Sequence, residues 1–573
     1  MTSLRLERAA PLLAALLLAS QMALPLAARD QSTPQKPEEP GESSEISQII
    51  HRIITNERRC NQELKRYSPR VETYVQYYES DQELGEVATR DQYFLGRLKF
   101  ASSGIKSVQE VSEVSFLSDS FADRIRRPPE MFRAHLEPGS IALESLILDA
   151  NNFDRKHYTF QPVRSEYLGD VRCLVIDIHP RGRPEEGAFE GRIWVEDHNY
   201  VIVRMNGTRV HPPRFSFYVH FDCWRQNLQP GVWLPVYIYS QESGKGKGKA
   251  KGLRFMSETR LWGYDFSTHP RQQTWTNILV ESPAPIQDAT ERTSNLSPVE
   301  SKRQLTMEAE NNVLDRLEAA RLMARPGPVD KVLETVVNNL RITNNLDNLP
   351  PIQCRVMLTS TLESYSLAST IIISRGLIDV LPDEPSLAMI LAHELAHIAL
   401  GQRLDNKYAF GDLLQVSDEK LLATLDLERD RTDEAAADTK GIEFLKNSPY
   451  KDQLGQAGLF LRAASAAAPN VPHLFGAHMG NGLTDGYKLT RMAALINSAP
   501  ALHTKSLDQI AALPMGSRVQ VSAWDGTVTF TTRKAVPLID ATEKMPFRVT
   551  PVIPYLHEYE RTPTNNEVSS ARK

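Results

Sequence analysis

The spacing of hydrophobic positions changes several times along the chain. Residues 29–45 are rich in Pro, Glu, Ser and Gln and read as a disordered linker, too polar to bury a core. Ile46, Ile49, Ile50, Ile53 and Ile54 then recur at helical spacing, which predicts a helix over 46–67 within a helical segment 46–84. From 85 to 285 the period falls to two. The clearest run is 214–224, where Phe215, Phe217, Val219, Phe221 and Cys223 alternate with Ser216, Tyr218, His220 and Asp222, as in an antiparallel strand with one buried face. Residues 172–179, 191–196, 200–205, 232–241 and 251–264 read the same way, the second and third joined through Asp197-His198-Asn199. A polar stretch with prolines about it, 286–304, marks a domain boundary, and a mostly helical region, 305–500, follows. The remainder, 501–573, returns to short strands at 518–521, 526–531 and 547–549, and its end, 562–573, has a disordered composition. Because the boundary offers few residues to bind the parts together, each is expected to fold alone.

The first 28 residues place Arg5 and Arg8 before an apolar run, 11–18, and a small-residue stretch ending at Ala27 and Ala28. This order predicts a signal peptide and a periplasmic or secreted protein; the competing reading is an uncleaved anchor, because 9–28 nearly spans a bilayer. No other window is apolar enough to span. A length of 573 residues, 41% apolar and 24% charged, implies several globular domains. The charge of -5, from 66 basic and 71 acidic residues without a long basic block, gives no support to a nucleic-acid partner. Lys245, Lys247, Lys249 and Lys251, interleaved with Gly, read as a solvated hairpin tip or as a contact for an anionic surface. Cys60, Cys173, Cys223 and Cys354 are scattered and exclude a zinc ribbon; a Cys173–Cys223 pair stays open.

The chemistry concentrates at His393-Glu394-Leu395-Ala396-His397. The spacing puts both imidazoles on one helix face, able to hold one zinc ion per chain while Glu394 serves as general base toward a metal-activated water. Asp383 as N-cap, Pro385 in the first turn and Gly401 as a stop delimit the helix, with Leu387, Ile390, Leu391 and Ile398 on its buried side. A third ligand is expected at Glu434, in a helix over 428–446. Asp438, four residues on, shares its face and can fix the tautomer of a ligand histidine, while three intervening alanines let the helices approach. Residues 369–374, with Thr370-Ile371-Ile372-Ile373, form a strand that either lines the metal cleft and pairs with substrate backbone or is ordinary core.

His393-Glu394-x-x-His397, Glu434-x-x-Ala437-Asp438-x-x-Gly441 and Ser374-Arg375-Gly376-Leu377 together resemble the HtpX and CAAX-prenyl-protease family of gluzincin metallopeptidases, and most of all its soluble periplasmic, BepA-like members. Glu363-Ser364-Tyr365-Ser366 stands where that family often has Asn-Ala-Phe-Ala, so its asparagine is missing here. The family's later His-Pro motif and downstream arginine are loosely matched by His478 and Arg491; oxyanion stabilisation would fall to one of His478, His473 and Arg491. The β-rich region resembles the curved sheets of LolA-like carriers through 191–196 and 201–204, an analogy of fold alone. The fold expected is therefore multidomain α+β, with an N-terminal antiparallel β-rich domain, a mostly helical zincin-type metallopeptidase domain and a short β-rich C-terminal extension. The function implied is zinc-dependent cleavage of protein or peptide substrates, including misfolded or envelope proteins. The alternative is a client- or lipid-binding, chaperone-like protein that works through its β-rich domain.

Overall fold

The computed structural model describes residues 44–81, 85–101, 104–109, 145–149, 152–182, 187–210, 218–243, 254–266, 298–402, 427–486, 488–503, 519–521, 528–530, 547–552 and 554–558. The chain forms two compact units, Met1–Gln48 and Ile49–Lys573. The expected signal peptide 1–28, nearly all of linker 29–45, the strand start 214–217, the lysine run 245–251 and the tail 562–573 lie outside the described residues.

The β-rich part is one antiparallel sheet of ten strands among the described residues. They are β1 (Arg70–Asp81), β2 (Gly85–Ala101), β3 (Gly104–Gln109), β4 (Tyr158–Leu168), β5 (Val171–Pro180), β6 (Phe189–Glu196), β7 (Ile202–Arg209), β8 (Tyr218–Gln229), β9 (Val232–Ser243) and β10 (Phe255–Trp262). Their order is β3-β2-β1-β10-β9-β8-β7-β6-β5-β4, so the first strand closes onto the last through pairs such as Arg70 with Trp262. Helix α1 (Ser44–Leu64) precedes them, buries Ile50, Ile53, Ile54 and Leu64, and is tied to β8 by a buried ion pair, Glu57 to Arg225 at 2.6 Å. The helical segment expected over 46–84 is thus half strand. The helical period stops before Pro69, and the next residues are the β-branched and aromatic series Val71, Thr73, Tyr74, Val75, Tyr77 and Tyr78, which favours an extended chain. All four cysteines are buried and free, so Cys173 and Cys223 are not paired.

The alternating pattern marks one face of the sheet as polar, yet that face is also covered. Trp224, on the same face as Asp222 and His220, is fully buried, and Arg204 stacks on both Trp194 and Trp224 while pairing with Asp222 at 2.7 Å. Residues 547–552 and 554–556 cross this face. Val549 N–H donates to Gln76 (2.8 Å), Val552 N–H to the Tyr237 hydroxyl (3.1 Å), and the Leu556 carbonyl accepts from Asp170 N–H (2.9 Å). Residues 547–549 are accordingly not the strand expected there, because a side chain and not a neighbouring strand satisfies their backbone. The other expected tail strands are present as a hairpin of Val519–Val521 with Val528–Phe530.

The helical part begins within the expected linker. Helix α2 (Pro298–Ala319) opens on a proline suited to the first turn and continues through good helix formers. After α3 (Pro328–Thr343) come three strands, β11 (Gln353–Met357), β12 (Ser364–Leu367) and β13 (Thr370–Ser374), in the order β11-β13-β12. Then follow α4 (Arg375–Val380), α5 (Glu384–Ala399), α6 (Arg431–Lys446), α7 (Leu454–Ala467) and the short α8 (Pro472–Phe475). No helix among the described residues is long and apolar enough to cross a membrane.

The sheet and the helical part belong to one compact unit, against the expectation that each folds alone. The chain between them does not make the junction. Side chains of the sheet do: Arg70 donates to the Ala320 carbonyl (2.5 Å), Trp262 to the Arg321 carbonyl (2.7 Å), and the buried carboxylates of Glu72 and Asp91 accept from Ser360, His473 and Leu474. A fragment beginning near Ser297 would exchange these bonds for bonds to water, losing about 0.5–1.5 kcal/mol net for each. Scanning calorimetry of such a fragment should show no cooperative transition comparable with that of the full chain. A fragment with a sharp transition of its own would contradict this.

Candidate metal centre

Helix α5 is shaped by the signals at its ends. Asp383 accepts from Ser386 N–H at 2.9 Å, Pro385 lies in the first turn, and the chain leaves through Gly401 at φ +66°. Every residue from Pro385 to Ile398 is buried, not only one face, so Glu394 and both histidines sit inside the protein. Helix α6, capped by Asp430 on Thr432 and Asp433, packs against α5. Of the three alanines between Glu434 and Asp438 only Ala437 is at the contact; Ala435 and Ala436 are exposed. The close approach comes from Gly441, where a Cβ would stand 3.1 Å from the Ala392 carbonyl.

This packing brings together three side chains able to hold a metal ion: His393, His397 and Glu434. Each ring is oriented by its Nδ1. His393 Nδ1 lies 2.9 Å from Asp438 Oδ1 and His397 Nδ1 lies 2.7 Å from Gln402 Oε1. With Nδ1–H donating in both, both Nε2 atoms carry lone pairs, and they face each other at 3.1 Å. Glu434 closes the group, with Oε2 at 3.2 Å from His393 Nε2 and Oε1 at 3.5 Å from His397 Nε2. Electron-rich atoms so arranged call for a cation. Two nitrogens at the usual zinc bond length and tetrahedral angle stand about 3.3 Å apart, so the donor set fits zinc. The other candidate cluster among the described residues, Glu196, Asp197 and His198, lies at the β6–β7 turn with His198 largely exposed.

Arg491 governs the electrostatics. Its guanidinium is buried, donating to Glu434 Oε2 (3.1 Å), Glu394 Oε1 (3.1 Å) and the Ser364 carbonyl (3.0 Å). Burial works against ionising Glu394 and Glu434, but Arg491 and the histidines outweigh it and hold both carboxyls below their ordinary range. Burial likewise opposes charge on His393, and its bonds to Asp438 and Glu434 overcome this, so the ring favours a positive partner at Nε2. Glu394 accepts from Ser364 Oγ at 2.8 Å on Oε1, while Oε2 is buried with no hydrogen-bond partner.

The other sequence-derived candidates lie elsewhere. His473 is bound through Nδ1 to Asp91 at 2.9 Å, and His478 stacks on Tyr93 with ring centres 4.5 Å apart. Strand β13 is paired on both sides and wholly buried, so the 369–374 segment is the core strand of the two readings. The edge strand is β12, whose carbonyls at Ser364 and Ser366 accept from Arg491 and Arg429. The glycine of Ser374-Arg375-Gly376-Leu377 is needed for clearance, since a Cβ there would stand 1.9 Å from the Ser360 carbonyl. Sequence reasoning missed Gln402, Arg429 and the bond from Ser364 to Glu394. Gln402 follows the helix stop by one residue and carries no motif; only its place just beyond His397 hinted at a role.

No curated protein matches the chain. Among solved structures, a LolA superfamily protein from Nitrosomonas europaea is similar at 13% identity over 39% of this chain and 94% of its own, with a TM-score of 0.18. A DUF1329 family protein from Desulfovibrio piger is similar at 10% identity over 39% and 95%, with a TM-score of 0.18. The Pseudomonas aeruginosa MucA/MucB complex is similar at 8% over 39% and 95%, with a TM-score of 0.12. Residues 329–417, which contain His393, Glu394 and His397, match the family model of Peptidase family M48, and this part of the chain is therefore similar to a family of metallopeptidases.

Proposed function

We propose that the protein is a zinc-dependent endopeptidase of the cell envelope or secreted space, with His393, His397 and Glu434 as metal ligands and Glu394 as general base. The observation that carries this is the convergence of two Nε2 lone pairs and the Glu434 carboxylate at 3.1–3.5 Å beside a buried, ionised Glu394. Bound zinc would supply Lewis acidity, lowering the pKa of a water and polarising the scissile carbonyl. Glu394 accepts the proton of the attacking water at Oε2, which no protein donor occupies, and returns it to the leaving amine. Ser364 and Arg491 fix the other oxygen, so the carboxylate presents one basic atom in one direction. Of the three candidates for oxyanion stabilisation, Arg491 lies at the centre, 3.1 Å from both Glu394 and Glu434, whereas His473 and His478 are engaged with the sheet. Asp438 and Gln402 hold the ligand rings in the tautomers that expose Nε2. The basic, apolar and small-residue order of the N-terminus supports the envelope or secreted location.

Metal analysis of the full chain should find close to one zinc, and casein hydrolysis should stop on adding a chelator and resume with zinc. Metal-free protein that hydrolyses casein would refute the reading. Glu394→Gln is expected to keep the metal and lower peptide turnover by about 10²-fold or more. A variant that cuts at the native rate would remove Glu394 from this role. Glu434→Ala should lose most of the zinc in equilibrium dialysis, whereas Asp438→Ala and Gln402→Ala should each weaken zinc affinity about 10- to 100-fold. Full zinc retention by the Glu434 variant would leave the third ligand elsewhere.

A further inference from the structure

We propose that Glu72 and Asp91, in the sheet, are positioning residues of the peptidase centre: they hold the segment that presents Ser364 to Glu394. This rests on the peptidase reading above. Glu72 is buried on β1, where Oε1 accepts from Ser360 N–H (2.6 Å) and Oε2 from Ser360 Oγ (2.8 Å). The Tyr93 hydroxyl, from β2, donates to the same carboxylate at 2.8 Å, and Arg375 stands 3.7 Å away. Asp91, also on β2 and fully buried, accepts from His473 N–H (3.1 Å) and Leu474 N–H (2.8 Å), in the first turn of α8, and from the Tyr74 hydroxyl (3.1 Å). Two neighbouring strands of the sheet therefore grip two separate segments of the helical part.

Those segments are joined to each other and to the centre. Leu362 N–H donates to the Leu474 carbonyl (2.9 Å), and Glu363 accepts from Thr361 Oγ1 (2.5 Å) and Met479 N–H (3.3 Å). The next residue is Ser364, which donates to Glu394 at 2.8 Å and whose carbonyl receives Arg491. On the side away from Glu72, Gly376 packs so closely against Ser360 that no Cβ fits, and its N–H donates to the Thr359 carbonyl at 2.9 Å. Residues 359–364 are thus clamped between the sheet and the start of α4, and the clamp ends at the general base. A displacement of Ser360 passes through Thr361, Leu362 and Glu363 to Ser364 and the hydrogen bond that aims Glu394. Misplacement by about 1 Å far from the reacting atoms can cost up to ~10²-fold in rate.

The test uses the full chain with Glu72→Ala and Asp91→Ala. It measures zinc per chain, kcat and KM on an unstructured peptide, and amide hydrogen exchange over 360–367 and over α5. The expected result is unchanged zinc content, kcat lower by about tenfold or more, KM within about threefold, and faster exchange over 360–367 with α5 unaffected. Asp91→Asn, which retains an acceptor oxygen, should recover most of the loss. Glu57→Gln breaks a different buried ion pair of the sheet and serves as the control, lowering thermal stability without changing kcat. If the alanine variants do not fold, Tyr93→Phe, which deletes only the hydroxyl held by Glu72, should give the same pattern with kcat down about threefold. Variants that lose stability but keep native kcat and native exchange over 360–367 would overturn the proposal. Should the unaltered chain cut no peptide, the peptidase reading fails and the exchange measurement alone decides whether Glu72 and Asp91 hold the segment.

Discussion

The structure around α5 depends on one guanidinium. Arg491 lies between Glu394 and Glu434, and all three side chains are withdrawn from water. An isolated buried carboxylate costs several kcal/mol and would take up a proton; two in contact would repel as well. With Arg491 between them both stay ionised, and a helix carrying a glutamate and two histidines can be enclosed on every side. The Ser364 carbonyl and hydroxyl take part in the same network, so the edge of the small sheet is fixed by the charges of the centre.

The large sheet holds the helical part by a different means. Its contacts across the junction are few, buried and polar, and each carboxylate serves several donors. Glu72 receives a backbone amide and two hydroxyls, and Asp91 two backbone amides and a hydroxyl. Such bonds demand particular geometry and lose their value when any member moves, whereas an apolar contact tolerates sliding. A junction of this kind specifies one orientation of the two parts.

Much of this was legible in the sequence. The helix of His393 and His397, its N-cap at Asp383 and its stop at Gly401 are local signals, as is the helix of Glu434 and Asp438, and local signals survive folding. Alternation over β5 to β9 located the strands, since side-chain period is a property of the strand itself. What covers the polar face was not legible, because Gln76 and Tyr237 are met there by residues more than 300 positions away. The junction of the two parts was not legible for the same reason: the polar chain between them says nothing of Glu72 and Asp91, whose partners, 288 and 382 residues away, carry no sequence mark. Gln402 and the bond from Ser364 to Glu394 escaped notice because each rests on a side-chain hydrogen bond that any of several residue types could supply.

The strap formed by residues 547–552 and 554–556 sets an order of events in the making of the protein. Gln76 meets Phe547 and Val549 across more than 470 positions, and Asp170 meets Leu556 across nearly 390. The first strand of the sheet emerges early and waits through almost the entire synthesis for the residues that cover it. Arg491, which lets Glu394 stay charged in the interior, is itself made 97 residues after that glutamate. A growing chain therefore has no balanced centre until Arg491 is made and no covered sheet until the residues beyond 546 follow, and the long-range closures belong to the slow class of folding steps. Assembly of the site is in this way postponed until well after its central helix has been made.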